Sequence, residues 1–128
     1  HLNFIVRNLD EAVPVWEKLL GMPVTRRDEL PGRGVIAARF RLGGTWLVLG
    51  QPTRADSVPG QFLAEHGEGF FLLSLEVASL ADELARLGDA AFTGPVRTGA
   101  EGWQVRDLDQ ALVAGIQLQL TEVPADPP

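Results

Sequence analysis

A few side chains in this sequence suit chemistry. His1 is of a residue type that can ligate a metal or move a proton; the alternative is a polar residue on a strand face. Glu76 suits a general base, or an edge carboxylate near the end of its strand. Gln119 can orient a ligand by hydrogen bonding, or pair with a neighbouring strand residue. Arg39 and Arg41 share one strand face and suit bidentate recognition of a carboxylate or phosphate; the alternative is a solvated sheet edge. Trp46 and Trp103 suit an aromatic wall for an apolar or planar ligand, although Trp103 suits a core equally well. His66 reads as a solvated loop residue and Trp16 as core. The chain has no cysteine, which excludes disulfides, thiolate nucleophiles and thiolate metal sites. GRG and GEG lack the strand–loop–helix setting of a phosphate loop, and no Ser-His-Asp setting stands out.

The elements that position these residues follow from periodicity. In the opening strand, His1, Asn3 and Ile5 alternate with Leu2, Phe4 and Val6. Asn8 caps the next helix, Asp10 and Glu11 suit its positive end, and Gly21 ends it. Val13, Trp16, Leu19 and Leu20 form its expected apolar face. A strand is expected over Met22–Arg27, another over Val35–Leu42, a Gly43-Gly44 hairpin, and a strand over Thr45–Leu49. A short helical stretch, Gln61–Glu65, lies in the linker. Phe70, Leu72, Ser74 and Glu76 then alternate with Phe71, Leu73, Leu75 and Val77. Ser79 opens a helix with a buried stripe of Leu80, Leu84 and Leu87. Ala90–Val96 is a poor strand candidate, broken by Gly94-Pro95. Trp103–Asp107 and Ile116–Glu122 read as the last strands.

The pattern therefore occurs twice, in 1–49 and 69–120, and an internal repeat dictates the fold class. The expectation is an α+β fold: two tandem βαβββ modules forming a curved mixed sheet around a cleft. It is a single domain over 1–123, with module one at 1–50, a linker at 51–68, module two at 69–123 and a disordered tail at 124–128. The chain has 128 residues and 45% hydrophobic content, enough for a substantial core. Lys and Arg total 11 against 17 Asp and Glu, for a net charge of −6, which argues against nucleic acid. No apolar run is long enough to span a bilayer, and no signal peptide is visible. A cytoplasmic location is expected. The chain opens on His1 inside an apparent strand, so the reading allows for residues before it.

Three segments carry a family resemblance: HLNFIVRNLDEAVPVWEKLLGM, FLAEHGEGFFLLSLEV and AGIQLQLTE. They resemble the vicinal oxygen chelate superfamily of glyoxalase I, bleomycin-resistance proteins, extradiol dioxygenases and methylmalonyl-CoA epimerase. The second segment is closest to the epimerase type. The resemblance implies a homodimer and a divalent metal held from four strands. The corresponding positions here are His1, Val48, Leu72 and Gln119. Val48 and Leu72 offer no ligand, and a one-residue slip in register brings only other aliphatic or aromatic residues. The usual metal site is therefore expected to be broken, with His1 and Gln119 as the remaining metal candidates. No cofactor is expected, with a divalent metal as the alternative.

The resulting expectation is a protein that binds a small organic molecule in a cup between the modules. Its wall takes Asn3, Arg39, Trp46 and Val48 from module one, and Phe70, Leu72, Ser74, Trp103 and Gln119 from module two. The alternatives are a metal-dependent lyase, isomerase, epimerase or dioxygenase, and a metal-independent enzyme with Glu76 or His1 as base.

Overall fold

The computed structural model of the chain describes residues 1–99 and 102–124. Beyond Pro124, the expected tail lies outside the described residues. The chain divides into two compact units at Phe71/Leu72.

The first unit runs β1 (Leu2–Ile5), α1 (Leu9–Leu20), β2 (Arg26–Leu30), β3 (Val35–Leu42), β4 (Thr45–Pro52) and α2 (Val58–His66). Its strand order is β2-β3-β4-β1, with β1 parallel to β4 and the other pairs antiparallel. The second repeats the pattern with β5 (Gly69–Val77), α3 (Leu80–Leu87), β6 (Phe92–Thr98), β7 (Gln104–Leu108) and β8 (Leu118–Glu122). Its order is β5-β8-β7-β6, again with one parallel pair, β5 with β8. The division falls within β5. Each unit is thus a βαβββ module of mixed sheet and helix, as the repeat implies. No helix among the described residues is long and apolar enough to cross a membrane.

Local chemistry delimits α1. The Asn8 side chain accepts from the Glu11 N–H, and Gly21 closes the helix at φ 69°, where a side chain would be strained. Leu9 and Val13 pack on Ala38, Phe40, Leu47 and Leu49, with Trp16 and Leu20 at the margin. Leu19 departs from the expected face: it is 72% exposed. At 100° per residue it falls on the Val15 stripe, away from the sheet. Across β3–β4, Leu42 pairs with Thr45, so Gly43-Gly44 is the expected two-residue hairpin.

Several boundaries differ from expectation. The strand expected over Met22–Arg27 is β2, which starts later. The Glu17 carboxylate accepts from the Val24 N–H, holding the segment after Gly21 against the helix end before the ladder to β3 begins. The α2 helix is longer than expected, because Ser57 caps it from outside: its hydroxyl accepts from the Gly60 N–H. Trp103 and Ile116 precede their strands rather than opening them. Leu87, expected in the buried stripe of α3, is 38% exposed in the helix's last position. The poor candidate around Gly94-Pro95 does form a strand. β6 is the outer strand of its sheet, and its pairing is irregular between Thr93 and Arg97. An edge strand tolerates a bulge and a residue without an N–H. The Arg106 Nε–H secures the bulge by donating to the Gly94 carbonyl at 2.8 Å.

Candidate functional site

In each unit the helix covers one face of the sheet, and the polar candidates occupy the other. In the first unit, Phe4, Ala38, Phe40, Leu47 and Leu49 face α1. Strand alternation places Asn3, Arg39, Arg41, Trp46 and Val48 on the far face. Register brings them together: Val48 lies between Asn3 on β1 and Arg39 on β3, and Arg41 lies opposite Trp46. The Arg41 guanidinium stacks on the Trp46 ring, 4.8 Å from its centroid. Arg39 is buried at 8% exposure, and its Nε lies 3.8 Å from the Asp28 carboxylate. Arg26 approaches the same oxygen at 2.7 Å. His1, half-buried, directly precedes β1.

Phe70 groups differently from its expected neighbours. It stands edge-on to Phe4 at 5.5 Å, and Phe4 in turn contacts Trp16 of α1 at 5.3 Å. It therefore joins the helix side of the first unit rather than the face that carries Asn3. His66 ends α2, exposed, against the Phe62 ring at 4.9 Å and 3.8 Å from the Glu65 carboxylate.

In the second unit, Leu80, Phe92, Leu118 and Leu120 form the helix-side core. The far face carries Ser74 opposite Gln119, and Glu76 opposite Thr121. Ser74, Gln119 and Thr121 are all buried and bonded to each other. The hydroxyls of Ser74 and Thr121 are 2.6 Å apart. The Gln119 side-chain carbonyl accepts from Ser74 at 3.1 Å and from Thr121 at 3.4 Å. Arg97 and Asp107 form a two-pronged pair, both contacts at 3.1 Å. Leu72 is buried, Glu76 is exposed near the end of β5, and Trp103 is half-buried just before β7. Among the described residues, no three His, Cys, Asp or Glu side chains cluster in a way that could hold a metal ion.

Sequence reasoning passed over Thr121 and Asp28. Thr121 had a usable signal, since it stands two residues after Gln119 and so shares its face. Asp28 had none, because its role depends on the register of β2 against β3.

Known proteins share this architecture. A hypothetical protein of Bacillus halodurans superposes with a TM-score of 0.88 at 21% identity, over 100% of this chain and 95% of that one. Methylmalonyl-CoA epimerase of Mycobacterium tuberculosis gives 0.81 at 22% identity, over 98% and 87%. A methylmalonyl-CoA epimerase of Streptomyces coelicolor, in complex with 2-nitronate-propionyl-CoA, gives 0.82 at 25% identity, over 98% and 96%. No curated protein matches the chain by sequence. Residues 1–106 match a sequence family, and the chain belongs to it: the Glyoxalase/Bleomycin resistance protein/Dioxygenase superfamily.

Proposed function

We propose that this chain binds a small organic acid on the far face of its sheet, without the metal that many members of its superfamily use. One observation carries the reading: Arg41 lies over Trp46 on the face that also presents Arg39 and Asn3. Guanidinium groups recognise carboxylates through paired N–H donors, and an indole ring supplies an apolar platform beside them. The donor chemistry at the family's metal positions supports the second half of the proposal. Val48 and Leu72 are buried aliphatic residues, and the Gln119 carbonyl already accepts two hydroxyls. A hard divalent ion requires oxygen or imidazole ligands with negative charge nearby, and these residues do not fit one. A cytoplasmic location is part of the same reading; the lack of cysteine suits a reducing compartment.

A second reading is an acyl-CoA epimerase or related lyase. The likeness to the S. coelicolor enzyme in complex with 2-nitronate-propionyl-CoA, and to a methylmalonyl-CoA epimerase in complex with methylmalonyl-CoA, favours it. His1 or Glu76 would then move the proton.

Calorimetric titration separates the two. The probes are methylmalonate and methylmalonyl-CoA, each with and without nickel, cobalt, zinc or manganese, followed by assay for loss of the substrate α-proton. The proposal expects metal-independent binding that weakens about tenfold in Arg41→Ala, the scale of one charged hydrogen-bonded contact. A stoichiometric metal site lost in His1→Ala, together with proton exchange, would establish the second reading instead. Equal binding by wild type and Arg41→Ala would refute the assignment of the face.

A further inference from the structure

The first unit has a groove that the binding reading does not use. It measures about 470 Å³ and lies on the helix side of the sheet, where β1, α1 and the start of β5 meet. Its apolar wall is formed by the rings of Phe4 and Trp16, 5.3 Å apart, with the exposed Val15 at the rim. The Phe70 ring, edge-on to Phe4 at 5.5 Å, continues the aromatic surface. Its polar wall carries one cation and two carboxylates: Arg7, Glu11 and Glu68. Glu68 accepts from the Arg7 backbone N–H at 2.9 Å and lies 3.9 Å from its guanidinium, so these two charges offset each other. Glu11 is left over. Among the described residues no ion pair engages its carboxylate, while its neighbour Asp10 is held by Arg27 at 2.6 Å. The start of α1 does not redress the balance toward anions. The Leu9 N–H already donates to the Gln51 side chain at 2.7 Å, and the Glu11 N–H to the Asn8 side chain at 3.2 Å.

We propose that this groove binds an organic monocation: a protonated amine or quaternary ammonium group on an aryl or alkyl body. Two features select the charge. The Glu11 carboxylate has no partner, and the faces of aromatic rings carry negative potential that attracts cations. The rings also take the apolar body of the ligand. A bare divalent ion is a poor fit, because it needs several oxygen ligands and the groove offers one unpaired carboxylate beside aromatic carbon. The groove lies across the sheet from Arg41 and Trp46, and its ligand has the opposite charge to the acid proposed there. The two assignments therefore stand or fall separately.

Three probes of one shape and different charge test the groove: phenethylamine, phenethyl alcohol and hydrocinnamate. Each is titrated into the isotope-labelled intact chain at neutral pH and low salt, followed by two-dimensional NMR. Phenethylamine is expected to bind with a Kd of about 1 mM or below, a typical scale for so small a ligand. It should bind at least about tenfold tighter than the alcohol or the carboxylate. The shifts should fall on the amides of 6–12 and 68–69 and on the Trp16 indole. Glu11→Gln should weaken the amine about fivefold and leave the alcohol within about twofold. Val15→Lys, which adds a positive charge at the rim, should also weaken the amine about fivefold. Val58→Lys is the control, since Val58 is equally exposed at 64% but lies on α2; it should stay within about twofold of wild type. All three substitutions are at exposed positions, so loss of the fold does not explain the pattern. No binding of phenethylamine at about 10 mM overturns the proposal. So does equal binding of the amine and hydrocinnamate, a set of shifts confined to 39–49, or an amine affinity indifferent to Glu11→Gln.

Discussion

Ser74, Gln119 and Thr121 form a buried polar cluster in the second unit, and its strength is measurable by a double-mutant cycle. Ser74→Ala removes the 2.6 Å contact with Thr121 and the 3.1 Å bond to Gln119. The Gln119 carbonyl is left with the 3.4 Å approach of Thr121, and the Thr121 hydroxyl loses its close partner. A buried hydrogen bond is worth about 1 kcal/mol net, and a buried group left without a partner costs about 1–3 kcal/mol. Ser74→Ala should therefore cost about 2–3 kcal/mol. Thr121→Val breaks the same 2.6 Å contact and only one weak bond besides, so about 1–2 kcal/mol is expected. The shared contact can be lost only once. The double variant should therefore fall short of the sum of the singles by about 1 kcal/mol, beyond the roughly 0.3–0.5 kcal/mol scatter of independent sites. Urea unfolding followed by circular dichroism, with the m-value unchanged across the four proteins, reads these differences. Full additivity would refute the reasoning, since the three side chains would then not act as one network.

Two further perturbations probe how the first unit holds its face in place. Phe40 is fully buried under α1, so Phe40→Ala should cost about 3–5 kcal/mol in the same unfolding assay; a loss below about 1 kcal/mol would mean that the site collapses without a cavity. Gly60 sits in the first turn of α2, where an added Cβ would collide with the backbone carbonyls of Arg54 and Ala55. Gly60→Ala should therefore destabilise by about 1–3 kcal/mol, the scale of overpacking; a thermal melt unchanged from wild type would contradict that geometry.

Much of the fold was legible because its determinants are local. Asn8 and Gly21 bound α1 by satisfying backbone groups within a few residues, and Ser79 caps α3 in the same way. The edge elements were less legible. The segment around Gly94-Pro95 reads as a break, yet it pairs as an outer strand, and only the strand order makes its irregularity tolerable. Leu19 reads as part of the apolar face of α1 by its three-residue spacing from Trp16, but its angle around the helix falls on the Val15 side, beyond the edge of the stripe that the sheet covers. Of the candidate residues, the strand face of each follows from alternation, but which of them lie side by side does not: Val48 beside Asn3 and Arg39, and Arg41 opposite Trp46, depend on strand pairing. The contact of Phe70 was not legible either, because its partner is an aromatic ring from a strand more than sixty residues away.

By itself, the sequence determined the repeated β-α-β-β-β order, the capped helix ends and which side chains share a strand face. Each of these depends on spacing within one segment, and the periods of helix and strand are set by the backbone. Tertiary structure alone decided that Ser74 bonds both Gln119 and Thr121, and that Asp28 comes within reach of Arg26 and Arg39. It also decided that Arg41 covers Trp46. Those contacts depend on the register between separate strands, and a shift of one residue would turn each side chain to the other face of its sheet.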